Sequence, residues 1–133
     1  MNKHTAINMV IKNFRYVNDP DTWYDNWRVQ DADKVFKGDC DDFSLALLWE
    51  ISDKSWFKFW FYLISMQAVI WHCKTTNGQG HAVLWFRGYW ADNIWSTPER
   101  GWYKTKSMPH KRRFPYPFAS VALKMLITKL LTK

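Results

Sequence analysis

Gly38-Asp39-Cys40-Asp41-Asp42-Phe43, continuing as Ser44-Leu45-Ala46-Leu47-Leu48-Trp49-Glu50-Ile51, is the stretch on which the reading of this chain turns. Phe43, Leu47, Leu48 and Ile51 recur at helical spacing, and Asp39, Asp41 and Asp42 stand where the unpaired amides of a helix N-terminus favour negative charge. Gly38-Asp39 is a turn and cap, so a helix begins at Cys40. A thiol in that first turn gains from the helix dipole, which stabilises a thiolate. The acids beside it work in the opposite direction, because a nearby carboxylate disfavours a second negative charge.

Working upstream, Ile7, Val10, Ile11 and Phe14 fall at i, i+3, i+4 and i+7 and predict an amphipathic helix over residues 5–15, ended by Asn18-Asp19-Pro20-Asp21. Residues 23–37 show no period and read as an ordered loop with at most a short helical turn. Downstream, Trp56, Phe59, Trp60 and Leu63 oppose Lys54, Lys58, Tyr62 and Ser65, which favours a second helix over 54–65 rather than a strand. Residues 68–74 are β-branched and aromatic and predict a strand; Asn77-Gly78-Gln79-Gly80 is a turn; residues 81–87 form a second strand and, beyond Gly88, residues 89–95 a third. Pro98, Pro109, Pro115 and Pro117 then mark an extended basic segment. A last helix runs over 118–131 with Lys124, Thr128 and Lys129 toward solvent. The expected class is α+β, with helices packed on a small antiparallel sheet in a single domain over 1–133.

At 133 residues the chain is long enough for a self-sufficient core. Its ten Trp, nine Phe and six Tyr exceed what so small a core encloses, so some rings must line a groove, meet a partner or lie on a membrane. The charge is divided. Residues 1–53 hold six Lys/Arg against ten Asp/Glu, and residues 54–133 hold thirteen against two. The first apolar run, Met9-Val10-Ile11, is too short for a secretory signal, and the most apolar window, 59–71, is too short to span a bilayer. These features suggest a cytoplasmic protein with Cys40 and Cys73 as free thiols.

Cys40 is the candidate nucleophile. His81 opens a strand after a Gly-rich turn and suits a general base and acid, and Asp92, eleven residues on, falls toward the same end of the next strand and suits the carboxylate that orients it. Taken singly, a Cys is usually a core residue, a His a satisfied polar group and an Asp-Asn pair a turn. Cys73, next to His72 in a strand, reads as core. His4, His72 and His110 carry no metal-ligand spacing.

The combination of Gly38-Asp39-Cys40-Asp41-Asp42-Phe43, His81-Ala82-Val83-Leu84, Asp92-Asn93 and, upstream, Asp25-Asn26-Trp27 resembles the bacterial transglutaminase-like cysteine peptidases over roughly residues 7–95. Lacking an export signal and carrying His110-Lys111-Arg112-Arg113 before Pro115-Tyr116-Pro117, the chain is similar to small versions encoded by tailed bacteriophages. The resemblance implies a papain-like or transglutaminase-like fold and a thiol hydrolase that cleaves an amide bond of a protein or peptide substrate through a thioester. Cys40, His81 and Asp92 would be its catalytic triad, and transamidation by the same triad is an alternative. It further implies Trp27, with Trp23 second, as an indole donor to the oxyanion, and Asp39, Asp41 and Asp42 as Ca²⁺ ligands. No cofactor is required, and N-cap and first-turn roles suit the three acids better. The rings of Trp23, Trp27, Trp49, Trp56, Trp60, Trp71, Trp85, Trp90 and Trp95 would largely flank the thiol site. A reading from another class is an interaction protein whose basic segment 104–113 docks an acidic host or virion partner, in preference to nucleic acid or a membrane surface.

Overall fold

The first helix, α1 (Lys3–Asn13), starts where the Asn2 side chain accepts from Thr5 N at 2.8 Å, and it buries Ala6, Ile7 and Val10. A computed structural model describes residues 2–17, 27–75, 78, 80–97, 100–108 and 110–131, so the break expected at 18–21 lies outside the described residues. The helix ends two residues earlier than its apolar stripe suggests. Phe14 instead opens β1 (Phe14–Tyr16), which pairs in parallel with β2 (Phe36–Gly38), Phe14 opposite Phe36 and Tyr16 opposite Gly38. Phe14 still reaches the core, edge-on to Phe36 at 5.5 Å and Phe43 at 5.2 Å. Residues 36–38 are therefore strand where a loop was expected, because three residues are too few to display an alternation.

Next comes α2 (Cys40–Ile51), and its start is fixed by a capping box. Asp39 Oδ1 accepts from Asp41 N at 3.1 Å and Asp42 N at 3.4 Å, while Asp42 Oδ2 accepts from Asp39 N at 3.1 Å. Phe43 through Ile51 are all buried, so this is a central helix without a solvent face. It lies against α1, β2 and the strand that carries His81. Gly38 explains its own presence: a Cβ there would occupy the space of the Asp42 carboxyl.

The third helix, α3 (Trp56–Ile64), is capped by Ser55 and buries Phe59 and Leu63. Four strands follow: β3 (Ala68–Lys74), β4 (Gly80–Phe86), β5 (Tyr89–Ala91) and β6 (Lys111–Tyr116), in spatial order β5-β4-β3-β6, every neighbour antiparallel. The third expected strand is shorter than 89–95 because the chain turns after Ala91. β6 corrects the reading of the basic segment as merely extended. It pairs with β3 along its length, with a shift between His72 and Cys73, and Pro115 is tolerated because β6 is an edge strand. Together these elements make a small α+β fold with helices packed on an antiparallel sheet.

Finally α4 (Phe118–Leu131) spans the residues its pattern predicts. One face assignment changes. Thr128 is buried at 2% exposure, accepting from Trp27 N at 2.8 Å, whereas Leu123, Leu126 and Leu130 face out. Of the five glycines, Gly38 leaves the least room for a side chain. Gly38→Ala is expected to force Asp42 out of the capping box and to lower stability by about 1–2 kcal/mol, the usual cost of a lost cap, read from the urea midpoint. An unchanged midpoint would show that the box is dispensable.

Candidate functional site

Three parts of the sheet converge on Asp92, the first residue past β5. Its carboxylate is completely buried and accepts four hydrogen bonds. Oδ1 takes Trp95 N at 3.0 Å and the Tyr103 hydroxyl at 3.1 Å. Oδ2 lies 2.6 Å from His81 Nε2 and 2.7 Å from His110 Nε2. His81 comes from β4, and His110 immediately precedes β6. Tyr103 is delivered by a backbone bridge to Trp90, N to O at 3.0 Å and 2.8 Å in the two directions.

Burial alone would raise the Asp92 pKa. The hydrogen bonds from His110 and His81, reinforced by imidazolium charge, overcome it and hold this carboxyl below the ordinary range. Tyr103 moves the other way: burial, then the facing Asp92 charge, push its hydroxyl above its usual value and keep it a donor.

His81 also lines a cavity of about 320 Å³ together with Tyr16, Cys40 and Asn93. The cavity lies at the seam between β4 and the start of α2, where Ala82 N donates to Cys40 Sγ at 3.3 Å. His81 and Asp92 meet as the strand order led one to expect, but the expected triad does not form. The side chains that close on Asp92 are His81 and His110, with no cysteine in the cluster, and Cys40 groups instead with Asp39 and Asp41. Burial first, and then the Asp41 carboxylate, push the Cys40 thiol far up, and the amide hydrogen bonds from Ala82 and Asp41 only partly offset this. Burial and the flanking acids thus disfavour a thiolate. The thiol hydrolase, its assignment as a cysteine peptidase and the transamidase alternative all drew on that nucleophile, and all are overturned.

The other expected residues are placed as follows. Trp27 is 1% exposed, lines a separate depression beside α3 and α4, packs edge-on to Tyr116 at 5.0 Å, and leaves its Nε1 buried without a partner. Trp56 and Trp60 line that same depression, so these rings do not surround the thiol. Trp23 and the Asp25-Asn26 pair lie outside the described residues. Of the three acids, Asp42 turns inward to cap the helix, and burial, then the neighbouring Asp39 charge, push it up to about 7 against the hydrogen bond from Asp39 N. Asp39 and Asp41 remain beside Cys40, their ligand atoms within 4.8 Å of one another. Cys73 is a fully buried core thiol, pushed up to about 12 by burial and then by Asp92.

His110 and Tyr103 were missed. No spacing in the sequence links them to His81; the one signal was that β6, once seen as a strand antiparallel to β3, brings its start to the end of β3 that also pairs with Gly80 and His81. His81, Asp92 and His110 also form a donor set that could hold a metal, their ligand atoms within 4.8 Å. Two imidazoles and a carboxylate suit zinc, but ligands around one tetrahedral zinc ion stand about 3.3 Å apart. The 2.6 Å and 2.7 Å separations are those of direct hydrogen bonds. No family model matches the chain, and neither a curated protein nor a solved structure matches it.

Two outcomes are expected. Iodoacetamide should label Cys40 and Cys73 slowly in the native protein at neutral pH, and His81→Ala should leave the Cys40 rate unchanged; fast labelling of Cys40 that depends on His81 would restore the activated thiol. Asp92→Ala should cost about 3–5 kcal/mol in urea unfolding by stranding its donors. Because the folded-state pKa of Asp92 is depressed, its contribution is present above the unfolded value of about 3.9 and is lost as pH falls below it. The gap between wild type and variant should therefore narrow below about pH 4, and a gap independent of pH would contradict the assignment.

Proposed function

We propose that the protein carries an imidazole–carboxylate acid–base site on a transglutaminase-like scaffold, in which His81 exchanges a proton with water or with a small acyl-bearing ligand in the cavity beside Cys40. The scaffold reading is supported by a helix whose capped N-terminus faces β4, and by His81 and Asp92 meeting from neighbouring parts of an antiparallel sheet. The observation that carries the chemistry is the buried Asp92 carboxylate, bonded by His81 at 2.6 Å and His110 at 2.7 Å, while His81 lines the cavity. A proton taken up by His81 makes an imidazolium, and the carboxylate on the other ring nitrogen fixes the ring's tautomer and direction. His110, on the same oxygen, positions the carboxylate. The cavity, about 320 Å³, admits one acyl-sized or side-chain-sized group at a time.

In this reading Cys40 shapes the wall and takes no part in bond making. Hydrolysis of small aryl esters, measured as released phenolate, tests the division of labour. His81→Ala should lower the rate by about a hundredfold or more, the usual contribution of a positioned base, and Cys40→Ala should leave it within about twofold. Loss of activity in Cys40→Ala, or no loss in His81→Ala, would overturn the proposal.

A further inference from the structure

The four-stranded sheet packs differently on its two sides. Ile70, Ala82, Leu84 and Phe86 belong to the main core, whereas Cys73, Val83, Trp90 and Tyr103 form a second, smaller cluster. Residues alternate between the two along β3 and β4, so the second cluster lies on the side of the sheet away from the main core. Trp71, Trp85 and Trp95 pack against it and stay partly exposed, which brings indole rings to solvent there.

Cations are set among these rings. The Arg112 guanidinium lies over Trp71 and Trp90, 5.9 Å and 5.6 Å from their centroids, and that of Arg100 lies 3.7 Å over Trp95. Lys104 and Lys106 are exposed on either side of Thr105, whose hydroxyl accepts from Trp90 Nε1 at 2.9 Å. At the end of the sheet Lys74 and Lys111, both exposed, are direct partners across β3 and β6, and like charges so placed repel one another. Acids do not balance them. Residues 54–133 hold only Asp92 and Glu99 against thirteen Lys/Arg; Asp92 is buried among its donors, and Glu99 lies outside the described residues. Among the described residues no carboxylate comes within ion-pair distance of Lys74, Lys104, Lys106, Lys111 or Arg112.

Such a surface calls for negative charge and for flat apolar partners together. An acidic peptide supplies the first alone, and a duplex keeps its bases enclosed in their own stack. Single-stranded nucleic acid supplies both, its phosphates meeting the cations and its unstacked bases lying on the indoles.

We propose that this face of the sheet binds single-stranded nucleic acid, with Trp71 as a base-stacking ring and Lys104, Lys106 and Arg112 on the phosphates. The proposal does not draw on the acid–base reading at His81, and binding and ester hydrolysis are separate measurements, so either can fail alone. The test is fluorescence anisotropy of a labelled oligothymidylate of about 15 nucleotides, against a duplex of the same length and against polyglutamate. The single strand is expected to bind most tightly and to weaken steeply with salt. Lys104→Gln/Lys106→Gln, which changes only exposed side chains, should melt at the wild-type temperature, bind about tenfold more weakly and lower the slope of log affinity against log salt by about one to two. Trp71→Leu should bind about tenfold more weakly with the slope unchanged, and Trp71→Phe, which keeps a stacking ring, should recover most of the affinity. No association with the single strand at low salt, equal or tighter binding of the duplex, or undiminished binding by the lysine variant would overturn the proposal. So would equal binding of polyglutamate, since that would assign the face to an acidic protein.

Discussion

A carboxylate with no solvent contact tolerates its depth only if enough donors surround it, and Asp92 gathers four from the stretch between His81 and His110. His81 must arrive on β4, Trp95 must turn back beside β5, Tyr103 must bridge to Trp90, and His110 must come in ahead of β6. Satisfying that one charge therefore constrains the path from residue 81 to residue 110. It also constrains β6, because a chain that delivers His110 to Asp92 enters the sheet at Lys111, opposite Lys74. The hydrogen-bond network and the fourth strand are two consequences of the same requirement. Arg112 extends the arrangement by lying over the rings of Trp71 and Trp90, 5.9 Å and 5.6 Å from their centroids.

At the start of α2 the same residues pull in two directions. Asp39 and Asp42 make an effective cap, and Gly38 leaves the room that the Asp42 carboxyl needs. Burial first, then the charges of Asp41 and Asp39 in the same turn, push the Cys40 thiol up and outweigh the amide hydrogen bonds from Ala82 and Asp41 that favour a thiolate. A first-turn cysteine followed by two acids thus reads as an activated nucleophile or as a protected thiol, depending on how dry the site is. Dryness is decided by the packing of β4 against the helix.

The aromatic surplus divides in a similar way. Trp27 and Trp90 are interior, one beneath α4 and one beneath the Tyr103 bridge, while Trp56, Phe57 and Phe61 look outward. Periodicity distinguished a helix from a strand over 54–65 and put Phe59 and Leu63 on the apolar face, yet it also put Trp56 there, which is half exposed. Its contacts with α2, β3 and α4 cover Phe59 and Leu63 and leave Trp56, Phe57 and Phe61 exposed.

Local signals alone determined much of this protein: the span of α2 from its cap and stripe, the span of α4, strand β3, and the meeting of His81 with Asp92 along one hairpin. These depend on interactions within a few residues, which periodicity and capping report directly. Tertiary structure alone decided the rest. The prolines of 109–117 concealed β6, and the three-residue pair β1–β2 carried no pattern at all. His110 and Tyr103 joined the site from positions that no spacing connects, and the Cys40 thiol was pushed up rather than down. A pKa and a hydrogen-bond partner are set by what surrounds a group in space, and burial, with Ala82 over Cys40 and with Tyr103 and His110 on Asp92, comes from the way the strands pack.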